Sequence, residues 1–284
     1  ILADVYGPQE LLRTGRMPAE LIYANPRFLH ACHGVQPVGG RFLSLYAADC
    51  YRGVDGRFRV VREYGGHPAG LGYALENRLV ISRLFPELYH RTQIRRLAPF
   101  FQTLHTSLVQ RSSLQREDPT IVLLSSGPDC PIYFEQALLS RYLGYPLVEG
   151  QDLTVRHGRL FLKKLAGLEP VDTIFRHIDD RYSDPFTFRH DAAIGIAGLI
   201  QVAREQNVDI ANPIGAGFIE TPVLPAFLAG LCDHLLGESL RVNAVQFDEA
   251  QADQAKRCEE GSHAPEPRPV IDAISLRSTA LARC

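Results

Sequence analysis

Five short stretches carry residue types able to hold an anion, a metal ion or a proton. Asp49 and Arg52 pair a carboxylate with a guanidinium at the end of a β-rich run. Glu76-Asn77-Arg78 follows a Gly-rich loop, Gly65-Gly66-His67-Pro68-Ala69-Gly70-Leu71-Gly72. A carboxylate and an amide oxygen suit Mg²⁺, and a guanidinium suits phosphate. Such a loop can drape over phosphates or serve only as a flexible connection, and Glu76 to Arg78 can equally be a solvated first turn. Ser125-Ser126-Gly127 sits between a strand and a helix, where free backbone N–H groups favour an anion; an ordinary tight turn reads the same way. Arg176-His177-Ile178-Asp179-Asp180 follows a strand directly, as a pocket rim or as a solvated loop with internal ion pairs. Asn212-Pro213-Ile214-Gly215-Ala216-Gly217 follows the last strand; its G-x-G lacks the third glycine of a dinucleotide fingerprint. His30, Cys32 and His33 are metal-ligand types, but nothing points to the ligands that would complete them. The chain has no G-x-S-x-G nucleophile elbow.

The elements that must position these residues follow from periodicity and turn chemistry. Phe42 to Ala48 is β-rich, and Asp55-Gly56 turns it into a hairpin with Arg57 to Arg62. The Gly-rich loop leads into a helix with Leu75, Leu79, Val80 and Leu84 on one face, which Pro86 kinks or stops. Residues 111–118 are polar and read as a linker. Ile121 to Leu124 is a buried-type strand. Asp129 and Pro131 open a helix that Gly144 closes, and Leu147-Val148 begins the next strand. This is the strand-helix-strand order of a parallel sheet. A second hairpin turns at His157-Gly158, Val171 to Phe175 is a strand, and Asp191 caps a helix running to about Asn207. Asp209 to Ala211 is a strand. Thr221-Pro222 starts a helix with Leu224, Phe227, Leu228, Leu231 and Leu235 on one stripe. The expected organisation is an N-terminal portion over 1–110, a linker over 111–119, a second α/β unit over 120–241, and a poorly ordered tail over 242–284.

With 45% hydrophobic and 22% charged residues the chain can form a globular core. Its net charge of -2 argues against a nucleic-acid or polybasic membrane binder. No apolar run approaches the roughly 18–20 residues that span a bilayer. The start carries no signal-peptide pattern. The six cysteines form no C-x-x-C pair, which fits reduced thiols in a cytoplasmic protein. The chain opens on Ile1 within a helix-like stretch, which reads as a truncated start.

Taken together, Ala3 to Gln9, Cys32-His33-Gly34-Val35, Asp55-Gly56-Arg57, Gly72 to Arg78, Arg96 to Phe101, Tyr133-Phe134-Glu135, Leu147 to Gly150, Asp179-Asp180 and Asn212 to Gly217 resemble the circularly permuted ATP-grasp family. That family is related to glutathionylspermidine-synthase-like ligases. The resemblance runs from residue 1 to about residue 241. It is greatest to the branch whose members stand beside an alpha-E domain protein and a transglutaminase-like protein, which makes those two the implied partners. It implies an α/β, circularly permuted ATP-grasp-like fold: a mixed hairpin and helix unit, then a βαβ-type unit. It also implies ATP and Mg²⁺ as cofactors, with a small-molecule or peptide carboxylate and an amine as substrates. The carboxylate is phosphorylated, and the amine then displaces phosphate to give an amide.

Carried over position by position, the resemblance assigns Asp49, Glu63 and Glu76 to metal. It assigns Arg52, Gly70, Gly72, Asn77, Arg78 and Lys163 to the nucleotide. Ser125, Ser126, Gly127, Glu135, Asn212, Gly215 and Gly217 are assigned to substrate, and Arg176, Asp179 and Asp180 to catalysis. The sequence departs from the family in three places. Arg62 and Tyr64 stand where active-type ligases carry a Glu-x-Asn metal pair. The family's Trp-rich segment after the last helix is missing, since the chain has no Trp. The portion expected before residue 1 is absent as well, so the resemblance implies an incomplete domain. The alternative function is a catalytically degenerate relative that binds a nucleotide or peptide or serves as a scaffold.

Overall fold

The computed structural model describes residues 1–112 and 118–242. Most of the expected linker and nearly all of the expected tail, including Cys258 and Cys284, lie outside the described residues. In chain order the elements are α1 (Leu2–Val5), α2 (Glu10–Arg13), α3 (Ala19–Tyr23), β1 (Ala47–Arg52), β2 (Phe58–Tyr64), α4 (Leu71–Leu84), α5 (Pro86–Arg91), α6 (Ala98–Gln110) and β3 (Ile121–Leu124). They continue with α7 (Tyr133–Leu143), β4 (Leu147–Val148), β5 (Leu153–Arg156), β6 (Arg159–Lys164), β7 (Gly167–Pro170), β8 (Thr173–Arg176), α8 (Leu199–Arg204), β9 (Asp209–Ala211) and α9 (Pro225–Leu236). They form two compact units. One contains Ile1–Ala47 and Tyr64–Ile219, so the described ends of the expected linker fall within it. The other contains Ala48–Glu63 and, among the described residues, 220–242.

The first unit is built on a parallel sheet of order β4-β3-β8-β9. All four residues of β3 are buried, as are all four of β8 and all three of β9. This is why β3 reads as an unbroken apolar run: a parallel strand is covered on both faces. Ile121 and Leu123 pair with Thr173 and Phe175, and Phe175 with Ala211, so these side chains share one face. On that face Leu75 of α4, Phe101, Leu104 and Leu108 of α6, and Leu139 of α7 complete the core. In α6 the spacing 101, 104, 108 is the helical stripe that a sheet face selects. Gly144, at φ 76, closes α7 as a left-handed cap. A separate antiparallel sheet, β5-β6-β7, follows β4. His157 and Gly158, with φ of 50 and 71, turn β5 into β6, and the paired residues Arg156 and Arg159 flank them.

The second unit contains the β1–β2 hairpin and α9. Asp55 and Gly56 form its turn, with Arg59 bidentate on Asp55 at 3.0 and 2.8 Å. Among the described residues, no helix is long and apolar enough to cross a membrane.

Several elements differ from expectation, each for a visible reason. The strand expected from Phe42 begins at Ala47. The Ser44 and Leu45 backbone groups are taken by the side chain of Asn212 instead of a strand ladder. On α4 only Gly72 and Leu75 are buried; Leu79, Val80 and Leu84 face outward. The helix expected from Asp191 begins at Leu199, because its cap is Asp184, whose carboxylate accepts from Gly198 N and Ile200 N at 3.1 and 3.0 Å. The last helix starts at Pro225, at a first-turn position that suits proline. Strand β7 had no counterpart in the sequence reading.

Candidate functional site

Register places the carboxyl ends of the parallel strands side by side. Leu124 lies opposite Val148 on one side and Arg176 on the other, and Phe175 lies opposite Ala211. The next residues, Ser125, Glu149, His177 and Asn212, therefore line one edge of the sheet. The chain passes from β3 through α7 to β4 in one direction and from β8 through α8 to β9 in the other. The switch lies between β3 and β8, where open α/β sheets bind ligands.

At this edge Arg176 is fully buried. Its Nε donates to the Asn212 carbonyl at 3.1 Å. Its Nη1 donates to Ile178 O, and its Nη2 to Gly66 O at 2.9 Å and Pro213 O at 3.3 Å. Nη2 also meets Asp180 Oδ1 at 2.7 Å. A guanidinium engaged on this many fixed oxygens ties three loops together and has no face left for a ligand. The expected catalytic role of Arg176 is corrected to a structural one. Asp180 is pinned as well: its Oδ2 accepts from Gly217 N at 3.2 Å. Asp179 accepts from Arg181 N at 2.9 Å while remaining half-buried at the rim.

Three expected substrate contacts are likewise internal. Asn212 accepts from Ser44 N and Leu45 N at 2.7 and 3.0 Å, and donates to Leu45 O and Gly65 O at 2.6 and 2.7 Å. Its amide is thereby saturated. Gly215, at φ 95, packs on Tyr6, where a Cβ would stand 2.8 Å from the ring. Gly217 abuts Asp180, where a Cβ would stand 2.9 Å from Oδ2. The G-x-G spacing thus reports close packing.

Ser125 is also internal. Its hydroxyl is 2.5 Å from Gln136 Oε1 and accepts from Gly127 N at 3.0 Å. Gln136 Nε2 donates across the switch to His177 O at 3.1 Å. Nothing in the sequence marked Gln136, because its role depends on the strand order. The loop does not abut the helix N-terminus directly, since α7 starts only at Tyr133. His177 is enclosed, with its ring edge-on to Phe175 at 4.6 Å between centroids. Burial, followed by the nearby His67 and Arg176 charges, holds its pKa down to about 3.

What remains accessible at this edge is Ser126, Glu149, Asp179 and Lys163. Gly127, at φ 94, lies against the Glu149 carboxylate. Glu149 Oε2 accepts from Gln151 Nε2 at 3.1 Å, and Lys163 Nζ donates to Gln151 O at 2.7 Å. The antiparallel sheet thus holds a cation on the short turn that follows β4.

A second group lies at the start of α4. Glu135 of α7 is fully buried, and its carboxylate accepts from Gly70 N at 2.7 and 2.8 Å and from Gly72 N at 2.9 Å. Two corrections follow. Glu135 is not open to substrate, and the Gly70 and Gly72 amides are not open to phosphate. Further along α4, Glu76 and Arg78 are half-buried and Asn77 is exposed.

In the other unit, Asp49 and Arg52 stand exposed on β1 and Glu63 half-buried on β2. Arg52 Nε donates to Gly56 O at 3.0 Å, with its guanidinium over the Phe58 ring. Among the described residues no group of three or more His, Cys, Asp or Glu side chains could hold a metal ion. His30 and His33 are exposed while Cys32 is buried, its thiol pKa pushed up by that burial. Mg²⁺ needs less than such a cluster: one or two carboxylates, with substrate phosphates and water, complete its shell. Hard oxygen donors such as Glu76 fit that requirement.

Comparison with known proteins gives these positions a context. The family description "circularly permuted ATP-grasp type 2" matches residues 1–259. An uncharacterized protein of Mycobacterium tuberculosis (strain ATCC 25618 / H37Rv) is 38% identical over 239 residues, covering 84% of this chain and 27% of that protein. One from Mycobacterium leprae (strain TN) is 35% identical over 237 residues, covering 84% and 42%. One from Synechocystis sp. (strain ATCC 27184 / PCC 6803 / Kazusa) is 32% identical over 237 residues, covering 84% and 49%. The chain therefore spans between about a quarter and a half of the length of these relatives.

Proposed function

The chain belongs to the circularly permuted ATP-grasp type 2 family, and on that premise we propose that the protein is a carboxylate–amine ligase that uses Mg·ATP through an acyl phosphate. The observation that carries the proposal is the family match over residues 1–259. The geometry supports it through the side chains left accessible. Arg78 and Lys163 are cations for phosphate, with Asn77 as a further nucleotide contact. Glu76 would hold Mg²⁺. Bound Mg²⁺ would offset phosphate charge as a Lewis acid. Ser126, Glu149 and Asp179 line the strand edge where a carboxylate and an amine would be oriented. The substrates are proposed as a small-molecule or peptide carboxylate and an amine. An alpha-E domain protein and a transglutaminase-like protein are the proposed partners, and the cytoplasm the proposed compartment.

One observation favours a second reading. Arg62 and Tyr64 lie on β2, where the resemblance implies a Glu-x-Asn metal pair, and a guanidinium repels Mg²⁺. A catalytically degenerate relative, binding nucleotide or peptide or serving as a scaffold, would keep the fold without the chemistry. The two readings separate when the chain is incubated with Mg·ATP, hydroxylamine and a panel of carboxylates. Hydroxamate and phosphate release support the ligase. Nucleotide binding with no product from any carboxylate supports the degenerate relative.

A further inference from the structure

Resting on the ligase reading, we infer that Glu135 is the positioning residue of the nucleotide half of the site. It fixes the first turn of α4 and so sets where Glu76 and Arg78 point.

The start of α4 has the makings of an anion site. Gly70 caps a helix of 14 residues at φ 105, and its N–H and that of Gly72 point off the helix end. Such groups carry the positive end of the helix dipole and have no partner within the helix. A carboxylate from α7 fills this place, donated by a residue 63 to 65 positions away. Both oxygens reach Gly70 N, and Oε1 also reaches Gly72 N.

Shape enforces the same contact. A Cβ on Gly72 would stand 2.7 Å from Glu135 Cγ and 3.3 Å from its Cα. Only glycine allows α7 this close. The neighbouring side chains, Tyr73 and Phe134, stack at 5.9 Å and join the same two turns a second time. Glu135 also lies in the first turn of α7, so one carboxylate complements two helix N-termini.

The consequence for the site is directional. Glu76 follows Gly72 by four residues, a little over one helical turn. Holding Gly70 and Gly72 therefore sets the rotation of α4 about its axis, and with it the directions of Glu76 and Arg78. The Gly70 and Gly72 amides belong to Glu135, so these two do not meet nucleotide phosphates. Glu135 thus acts on metal and phosphate through Glu76 and Arg78 without touching either ligand.

The test uses the full chain as wild type, as Glu135→Gln and as Gly72→Ala. Glu135→Gln weakens the contact from the α7 side, and Gly72→Ala pushes it apart from the α4 side. Two readouts are taken: amide hydrogen exchange at positions 70 and 72, and calorimetric binding of a non-hydrolysable ATP analogue with and without Mg²⁺. Faster exchange is expected at both amides in either folded variant. The affinity gained on adding Mg²⁺ is expected to fall by about 10–100-fold, the usual effect of removing a group that orients a metal ligand. Binding without Mg²⁺, which reads Arg78 alone, is expected to fall by a smaller factor. Unchanged exchange in Glu135→Gln overturns the inference. So does an equal loss of Mg²⁺-free and Mg²⁺-linked binding, which marks a merely structural contact. Absence of nucleotide binding from folded wild type overturns the ligase reading itself, and this inference with it.

Discussion

Arg176 Nη2 lies 2.7 Å from Asp180 Oδ1, and the rest of the guanidinium is held by the carbonyls of Gly66, Ile178, Asn212 and Pro213. A planar cation with several donors in a fixed fork is needed to hold that many oxygens together, and an ammonium cannot replace it. Arg176→Lys is therefore expected to destabilise the fold by about 3–5 kcal/mol, as for breaking a buried, hydrogen-bonded charge. Urea unfolding of the variant checks this. A change confined to ligand binding, with wild-type stability, would return Arg176 to a catalytic role.

Asn212 gives a parallel case. Asn212→Ala removes the partners of Ser44 N, Leu45 N, Leu45 O and Gly65 O together. Each buried group left without a partner costs about 1–3 kcal/mol. The expected result is a large loss of stability by denaturant titration. Asn212→Asp should fail too, because it turns a donor facing two carbonyls into an acceptor.

These two residues show what the sequence could and could not reveal. Strand β3 was legible because a parallel strand buried on both faces leaves an apolar run, and α7 because Gly144 marks its end. The fold family was legible from motifs spread along the chain. The use of the polar residues was not. Asn212 replaces a strand ladder for residues more than 160 positions away. Asp184 caps α8, and Glu135 caps α4. Asn212 and Glu135 look like ligand groups in one dimension, because a side chain that holds loops together and one that holds a ligand draw on the same residue types. Only the strand order and register separate them.

His177 makes stability depend on pH. Its ordinary pKa is 6.5, and burial holds it at about 3 in the folded chain. Between these values the unfolded chain binds the proton and the folded chain does not. Stability from this group is full above about pH 6.5 and is lost as pH falls toward about 3, by an amount on the order of a few kcal/mol. Urea midpoints measured between pH 7 and pH 4 should fall, and His177→Leu should flatten that slope relative to wild type. Parallel slopes for the two proteins would show that His177 does not contribute.

Glu76 and Arg78 should behave in the opposite way to Arg176 and Asn212. Both are only half-buried, and neither joins a buried polar network of the kind that Arg176 and Asn212 form. Glu76→Gln and Arg78→Ala are expected to change stability by only about 0.5 kcal/mol, as surface substitutions do. Glu76→Gln should remove the Mg²⁺ dependence of nucleotide binding, and Arg78→Ala should weaken nucleotide binding both with and without the metal. Calorimetry on each variant beside a thermal melt separates the two effects.

The most direct test of the central claim is calorimetric titration of the purified chain with a non-hydrolysable ATP analogue, with and without Mg²⁺. The account predicts saturable binding strengthened by Mg²⁺, with that strengthening lost on Glu76→Gln. Nucleotide binding absent from a folded chain under both conditions would contradict it.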